Sequence, residues 1–129
     1  MNRGNLTLSL LGDNYSVCRL GPEAEIPLWA LAGDFFSITR TKDELSLVCS
    51  HELVPPGVQC EKGWRCIMVE GTLDFSLTGI LASLTVALAE AGISIFAIST
   101  FDTDYLLVKA ENLERAVVKL KEAGHDIVY

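Results

Sequence analysis

The segments EAGIS at 90–94 and EAGHD at 122–126 are near-copies of each other and constrain the fold more than any other feature. Each combines the last turn of a helix, a glycine and the start of a strand. Glycine ends helices readily because it adopts the left-handed conformation that residues with a Cβ resist. We therefore predict two helices, ending at Gly92 and Gly124, that each lead directly into a strand.

The first predicted helix lies within DFSLTGILASLTVALAEAG, residues 74–92. Ser76 or Thr78 can cap its start, because a hydroxyl accepts from the free amides of the first turn. Its apolar face has helical spacing and consists of Leu77, Ile80, Leu81, Leu84, Leu88 and Ala91. Apolar residues off this face predict a second contact, with another layer or subunit; they are Ala82, Val86 and Ala87.

Strand patterns surround both helices. Apolar runs predict strands at 64–73, 93–100, 104–110 and 125–129, and residues 101–103 fit a tight antiparallel hairpin. Asn112 is the expected cap of the second helix, whose inner face carries Leu113, Ala116, Val117 and Leu120. The order β-α-β-β-α-β indicates an α+β fold of the ferredoxin-like type, with both helices on one face of a four-stranded antiparallel sheet.

The other face of this sheet carries Met68, Phe96 and Ile98, and a large apolar face is seldom left in water. The first half of the chain is the candidate cover. It contains strand patterns at 6–11, 15–20, 35–41 and 45–50, while Pro22 and Pro27 leave room only for a short helix at 28–32.

The best linker candidate is VPPGVQ, residues 54–59. We therefore predict a strand-rich half at 1–60, followed by the ferredoxin-like domain at 61–129. A unit as small as the second half buries a modest share of its surface, so we expect the two halves to pack as one unit.

Charge and hydropathy exclude several classes of partner. The net charge is −7, and the ten Lys and Arg residues are scattered, whereas nucleic acid and anionic membranes are bound by basic clusters. No apolar run reaches the roughly 18 residues that span a bilayer, and the first residues resemble a strand more than a signal peptide. We predict a cytoplasmic protein with no nucleic acid or membrane partner.

The four cysteines are Cys18, Cys49, Cys60 and Cys66. Disulfides are not expected in a cytoplasmic protein, and the spacing of Cys60 and Cys66 matches none of the usual zinc sites. Cys18 and Cys49 lie in strand-like runs, where a free cysteine acts as a small buried hydrophobe.

The sequence contains no recognisable catalytic motif. His51 and His125 have no nucleophile motif nearby, and we expect both in surface or turn positions. The D-x-D at 102–104 lacks the further oxygen ligands of a calcium loop, and no glycine-rich phosphate loop is present. We predict no catalytic residue, no metal and no cofactor.

A small-molecule site is the remaining possibility. Unpaired amides at the start of the first helix, beside Gly79, suit a carboxylate, and the hairpin offers the carboxylates of Asp102 and Asp104 to an ammonium group. Thr100 and Thr103 add hydroxyls, and Phe101 adds an apolar wall. Asp102 fits a turn former best, whereas Asp104 is open between a ligand contact and a simple strand start.

Three segments carry a resemblance to a known family: TGILASL with LAEAGIS, AISTFDTDYLLV, and LERAVVKLKEAG. They resemble an ACT domain, in particular the branch shared by the CASTOR arginine sensors and the regulatory part of aspartate kinases. The first half is similar only to the degenerate ACT-like partner of small bacterial two-ACT proteins. The resemblance implies a non-catalytic regulatory protein that binds an amino acid between ACT units, most simply as a homodimer.

Carried over by position, the resemblance implies ligand-binding residues in two segments. These are Thr78, Gly79 and Ile80 at the helix start, and Thr100, Phe101, Thr103 and Asp104 at the hairpin. Arginine-binding members have an acidic residue in place of Leu77 and an aromatic residue in place of Thr103, which argues against arginine as the ligand. The alternative function is an assembly module without a small-molecule ligand.

Overall fold

The protein is described here by a computed structural model that covers residues 6–70 and 79–129. The chain forms two compact units. One comprises the residues up to Gly12 together with those from Arg65 onward, and the other comprises Asp13–Trp64. The strands are β1 Thr7–Leu10, β2 Tyr15–Leu20, β3 Ser37–Arg40, β4 Leu45–Ser50, β5 Gln59–Val69, β6 Ile95–Ser99, β7 Asp104–Lys109 and β8 Asp126–Val128, and the helices are α1 Ile80–Glu90 and α2 Leu113–Glu122.

From β5 onward the element order is β-α-β-β-α-β, which confirms the predicted ferredoxin-like plan. The sheet differs from the prediction in one respect. Strand β1 pairs antiparallel with β5, where Leu8 faces Val69, and parallel with β8, where Leu8 faces Ile127. The order is therefore β6-β7-β5-β1-β8, with five strands where four were predicted and one parallel pair where none was.

The core of this unit lies between α1, α2 and one face of the sheet. Leu84 and Leu88 of α1 and Leu120 of α2 are fully buried against the sheet. The strand residues in this core are Leu8, Ile67, Val69, Leu106 and Val108. Because paired residues of an antiparallel ladder share a face, the pair of Ser99 and Asp104 lies on this helix side and the pair of Phe96 and Leu107 lies on the other.

Both helices end in the same hydrogen-bond pattern. The amides of Gly92 and Gly124 donate to the carbonyls of Ala89 and Lys121. The next amides donate further back, Ile93 to Leu88 at 3.0 Å and His125 to Leu120 at 3.1 Å. Positive φ angles of 73° and 101° at the two glycines complete the Schellman motif. The predicted repeat is therefore a structural repeat.

Two predictions about the helices are corrected or extended. Asn112 occupies the N-cap position of α2 but makes no capping hydrogen bond. A 3₁₀ turn at Ala110–Asn112 already gives it helical backbone angles, whereas a capping side chain requires an extended residue. On α1, Val86 is 53% exposed, so the second apolar face predicted for this helix is uncovered in the single chain.

The unit Asp13–Trp64 is an antiparallel sheet in the order β3-β4-β2, with the first part of β5 beside β2. A short 3₁₀ helix at Leu28–Leu31 is the predicted short helix between the prolines. Cys18, Ala30, Leu45 and Leu47 form the buried core of this unit. Within the described residues, neither unit has a helix of the length and hydropathy that a membrane span requires.

Candidate functional site

The hairpin between β6 and β7 is closed by its two threonines. The amide of Thr100 donates to the carbonyl of Thr103 at 2.8 Å, and the hydroxyl of Thr100 donates to the same carbonyl at 3.1 Å. The Thr100 hydroxyl also accepts from the amide of Thr103 at 3.2 Å. The turn is thus fixed by both backbone and side chain, which confirms the tight hairpin at 101–103.

The Thr103 side chain attaches this hairpin to the neighbouring strand. Its hydroxyl donates to the carbonyl of Val69, the last residue of β5, at 2.7 Å, and Thr103 is only 8% exposed. A hydroxyl whose only proton is donated to a carbonyl can accept a hydrogen bond from a ligand but cannot donate one to it. In the described structure Thr103 holds the hairpin at the end of β5, the strand that leads toward α1.

The two aspartates of the hairpin have different surroundings. Asp104 is half-buried on the helix side of the sheet, where its Oδ1 accepts from the hydroxyl of Ser99 at 2.5 Å. Asp102 is exposed, and its charge acts on Tyr105, which lies on the opposite side of β7. Burial raises the pKa of Tyr105, and the nearby Cys66, Asp102 and Glu70 raise it further.

Helix α1 starts at Gly79, which is its N-cap and makes no capping side-chain bond. Apart from Gly79 itself, its two neighbours in the chain and the backbone of the same helix, no atom of the described residues lies within 4 Å of the point where a Cβ would stand. Ile80 is the first residue of α1, and the backbone amide of Ser83 donates to the carbonyl of Gly79 at 2.8 Å. Amides of a first helical turn have no partner within the helix. Thr78 and the predicted cap Ser76 lie outside the described residues.

Phe101 is 79% exposed at the tip of the hairpin. A groove of about 810 Å³ runs along α2 and contains none of the predicted site residues. It is lined by Glu111, Leu113, Glu114, Arg115, Val117, Val118, Lys121 and Tyr129.

His125 is a residue whose environment the sequence did not reveal. It does lie in the turn after α2, but it is only 4% exposed, and its Nδ1 accepts from the amide of Leu6 at 3.0 Å. Burial lowers the pKa of His125, and the charge of Asp126 partly opposes this. The ring also borders a groove of about 430 Å³ beside α1, together with Val86 and Glu90. The sequence did contain one indication that His125 is buried, because His125 takes the position that the buried Ile93 holds in the first repeat.

His51 makes a short contact with a serine hydroxyl, the combination of side chains found in many hydrolase active sites. Its Nδ1 lies 2.7 Å from the hydroxyl of Ser16. Ser16 is 0% exposed, so its oxygen cannot meet a substrate, and the contact is a structural bond between β2 and the turn after β4. In the part of the chain that the structure describes, no group of three or more His, Cys, Asp or Glu side chains is arranged to hold a metal ion.

Residues 59–122 match the family model of the ACT domain, and residues 13–57 match the model of a separate N-terminal domain. The structure is similar to a crystal structure of a protein from Agobacterium tumefaciens, with a TM-score of 0.92 and 42% identity over 96% of this chain and 92% of that chain. A comparison with curated protein sequences found no match.

Two more distant structures share the fold. One is a protein of unknown function from Vibrio cholerae, with a TM-score of 0.75 and 21% identity over 93% of this chain and 91% of that chain. The other is the ligand-free regulatory subunit of aspartate kinase from Thermus thermophilus, with a TM-score of 0.64 and 15% identity over 91% of this chain and 97% of that chain.

Proposed function

Because this chain belongs to the ACT-domain family, we propose that it is a non-catalytic regulatory protein of the cytoplasm that binds a free amino acid. The observation that carries the proposal is the hairpin at 100–103, which Thr103 attaches to the end of β5 while Asp104 presents a half-buried carboxylate on the helix side. The regulatory subunit of aspartate kinase, which shares this fold, supports a regulatory role.

The chemistry of an amino acid fits this arrangement. Its carboxylate would accept from the free amides at the start of α1, where Gly79 leaves room for a close approach. Its ammonium group would donate to Asp104, which now accepts from Ser99. Hydrogen bonds to charged groups contribute roughly 1.5–3 kcal/mol each, so two or three of them need additional apolar burial to reach micromolar affinity, about −8.2 kcal/mol.

A second copy of the chain would provide that burial. Val86 on α1 is 53% exposed and Phe101 on the hairpin is 79% exposed, and both would be covered in a homodimer that holds the ligand between ACT units of the two copies. The same exposed residues also favour the second candidate, an assembly module that binds a protein partner without any ligand.

A thermal-shift screen of the twenty amino acids tests the proposal. A ligand at a hundred times its dissociation constant adds about 2.7 kcal/mol, which raises the melting temperature of a domain of this size by several degrees. Sedimentation velocity with and without the active amino acid then reports the dimer. Unchanged melting curves for all twenty amino acids, together with a stable ligand-free complex with another protein, would favour the assembly module instead.

A further inference from the structure

Three of the four cysteines meet in the unit Asp13–Trp64, and we call Cys18, Cys49 and Cys60 the thiol cluster. Cys18 on β2 directly faces Cys60 on β5 in the strand register. On the other side of β2, Cys18 faces Leu47, which is two residues from Cys49 on β4. Side chains of facing residues share one side of the sheet, so Cys18 and Cys60 enter the same core. The Cys49 thiol contacts the Cys18 thiol. All four cysteines are free thiols in the structure.

The register decides which two thiols can be joined. Facing residues of antiparallel strands have Cα atoms about 4.5–5.5 Å apart, inside the range of roughly 4.4–6.8 Å that a disulfide spans. The thiols of Cys18 and Cys49 are also in hydrogen-bond contact. These two residues are diagonal neighbours, however, and Cα atoms of diagonal neighbours lie about 7–8 Å apart, above the range that a disulfide spans without movement of the backbone. Cys49 and Cys60 lie on strands separated by β2, which places them further apart still.

We propose that Cys18 and Cys60 form a reversible disulfide when the protein meets a small disulfide oxidant, so that the Asp13–Trp64 unit carries a redox-sensitive cross-link between β2 and β5. The cross-link joins strands that are already paired, so it forms without rearrangement of the sheet. Cys49 remains a thiol beside it.

The accessible thiol begins the reaction. Cys60 is half-buried, whereas Cys18 is 2% exposed and Cys49 is 0% exposed. The Cys60 thiolate attacks one sulfur of oxidised glutathione, releasing one glutathione thiolate and leaving a mixed disulfide. The Cys18 sulfur, after loss of its proton to solvent, attacks the Cys60 sulfur and expels the second glutathione thiolate. Both cysteines are oxidised by one electron each, and one oxidised glutathione becomes two reduced ones.

The second step is the slow one, because the Cys18 thiol resists ionisation. Burial raises its pKa to about 12, and the neighbouring Cys49 and Cys60 thiols add to the effect. Burial also raises the pKa of Cys49. Exchange requires the thiolate, so the reaction should accelerate steadily as the pH is raised above neutrality.

Peptide mapping of the native full-length chain tests the proposal. The protein is incubated with oxidised glutathione, its remaining thiols are alkylated, and it is digested with trypsin and a protease that cuts after glutamate. Trypsin alone leaves Cys49 and Cys60 on one peptide, but cleavage after Glu52 separates them. We expect a cross-linked pair of peptides that contain Cys18 and Cys60, loss of two titratable thiols, and full reversal by dithiothreitol.

Variants of single cysteines provide the controls. Cys60→Ser should abolish the cross-link, whereas Cys66→Ser and Cys49→Ser should retain it. The proposal is overturned if native protein stops at a Cys60–glutathione adduct, if Cys49 replaces Cys18 in the cross-linked peptides, or if the cross-link appears only after unfolding in urea.

Discussion

The imidazole of His125 accepts a hydrogen bond from the backbone amide of Leu6, with 3.0 Å between Nδ1 and the amide nitrogen. The two residues are 119 positions apart in the sequence. Because Nδ1 is the acceptor, the neutral ring carries its proton on Nε2. His125 takes the place in the second helix end that Ile93 takes in the first, and each is 4% exposed. A polar ring is tolerated there because one nitrogen is paired.

Stability should therefore fall in mild acid. The pKa of His125 is lowered by folding, so between that value and the unfolded value of about 6.5 the unfolded chain binds more protons than the folded one. The contribution of neutral His125 to the free energy of unfolding is fully present above about pH 6.5 and is lost as the pH falls through the pKa of the folded state. His125→Asn, which keeps an acceptor but does not titrate, should flatten the melting temperature between about pH 7.5 and pH 5. An unchanged slope in this variant would assign the pH dependence to other groups.

The bond from Thr103 to Val69 should matter for stability. Thr103→Val keeps the shape of the side chain but leaves the Val69 carbonyl without its donor, and we expect a loss of about 1–3 kcal/mol in urea unfolding. Thr100→Val is the matched control. Thr100 is exposed, so water can replace its hydroxyl, and its loss should be clearly smaller. Equal losses would show that the turn, and not the contact with β5, fixes the hairpin.

The two hairpin aspartates should differ in ligand binding. Once the thermal-shift screen has found an amino acid, Asp104→Asn should weaken its binding by roughly ten- to a hundredfold, since a charge-assisted bond contributes about 1.5–3 kcal/mol. Asp102→Asn should leave the affinity within about twofold, because Asp102 is exposed and acts on Tyr105. Isothermal titration calorimetry gives both constants. A larger effect at Asp102 would move the site to the other side of the hairpin.

The two faces of α1 should respond differently to truncation. Leu84→Ala removes a fully buried side chain from the core and should cost about 2–5 kcal/mol in the free energy of unfolding. Val86→Ala changes a side chain that is 53% exposed and should stay within about 0.5 kcal/mol for the monomer. If Val86→Ala destabilises the protein only at high protein concentration, this face belongs to a dimer interface.

Local patterns were sufficient for the elements from β5 onward. Helical spacing located α1 and α2, and the glycines at 92 and 124 located both helix ends, because each signal lies within one or two turns of chain. The insertion of β1 between β5 and β8 had no such signal. Its pairing depends on residues far along the sequence, and an isolated apolar strand pattern fits any open sheet edge.

The hairpin was predictable as a segment, but its contacts were not. The short polar segment between two apolar runs predicted the hairpin. The hydrogen bond from the Thr103 hydroxyl to the Val69 carbonyl could not be predicted, because it depends on how β7 lies beside β5. The thiol cluster could not be predicted for the same reason, because it too depends on strand pairing. Cys18 and Cys60 are distant in sequence, and only the register of β2 against β5 brings them face to face.

The position of β1 sets an order for assembly during synthesis. The unit Asp13–Trp64 is one continuous stretch and can close soon after it leaves the ribosome, because the partners of β2, β3 and β4 are all within it. Strand β1 leaves the ribosome earlier but obtains its second neighbour only when Asp126–Val128 has emerged. One edge of β1 therefore stays unpaired throughout translation of α1, β6, β7 and α2, and this interval is when a chaperone or a second nascent chain has access to it.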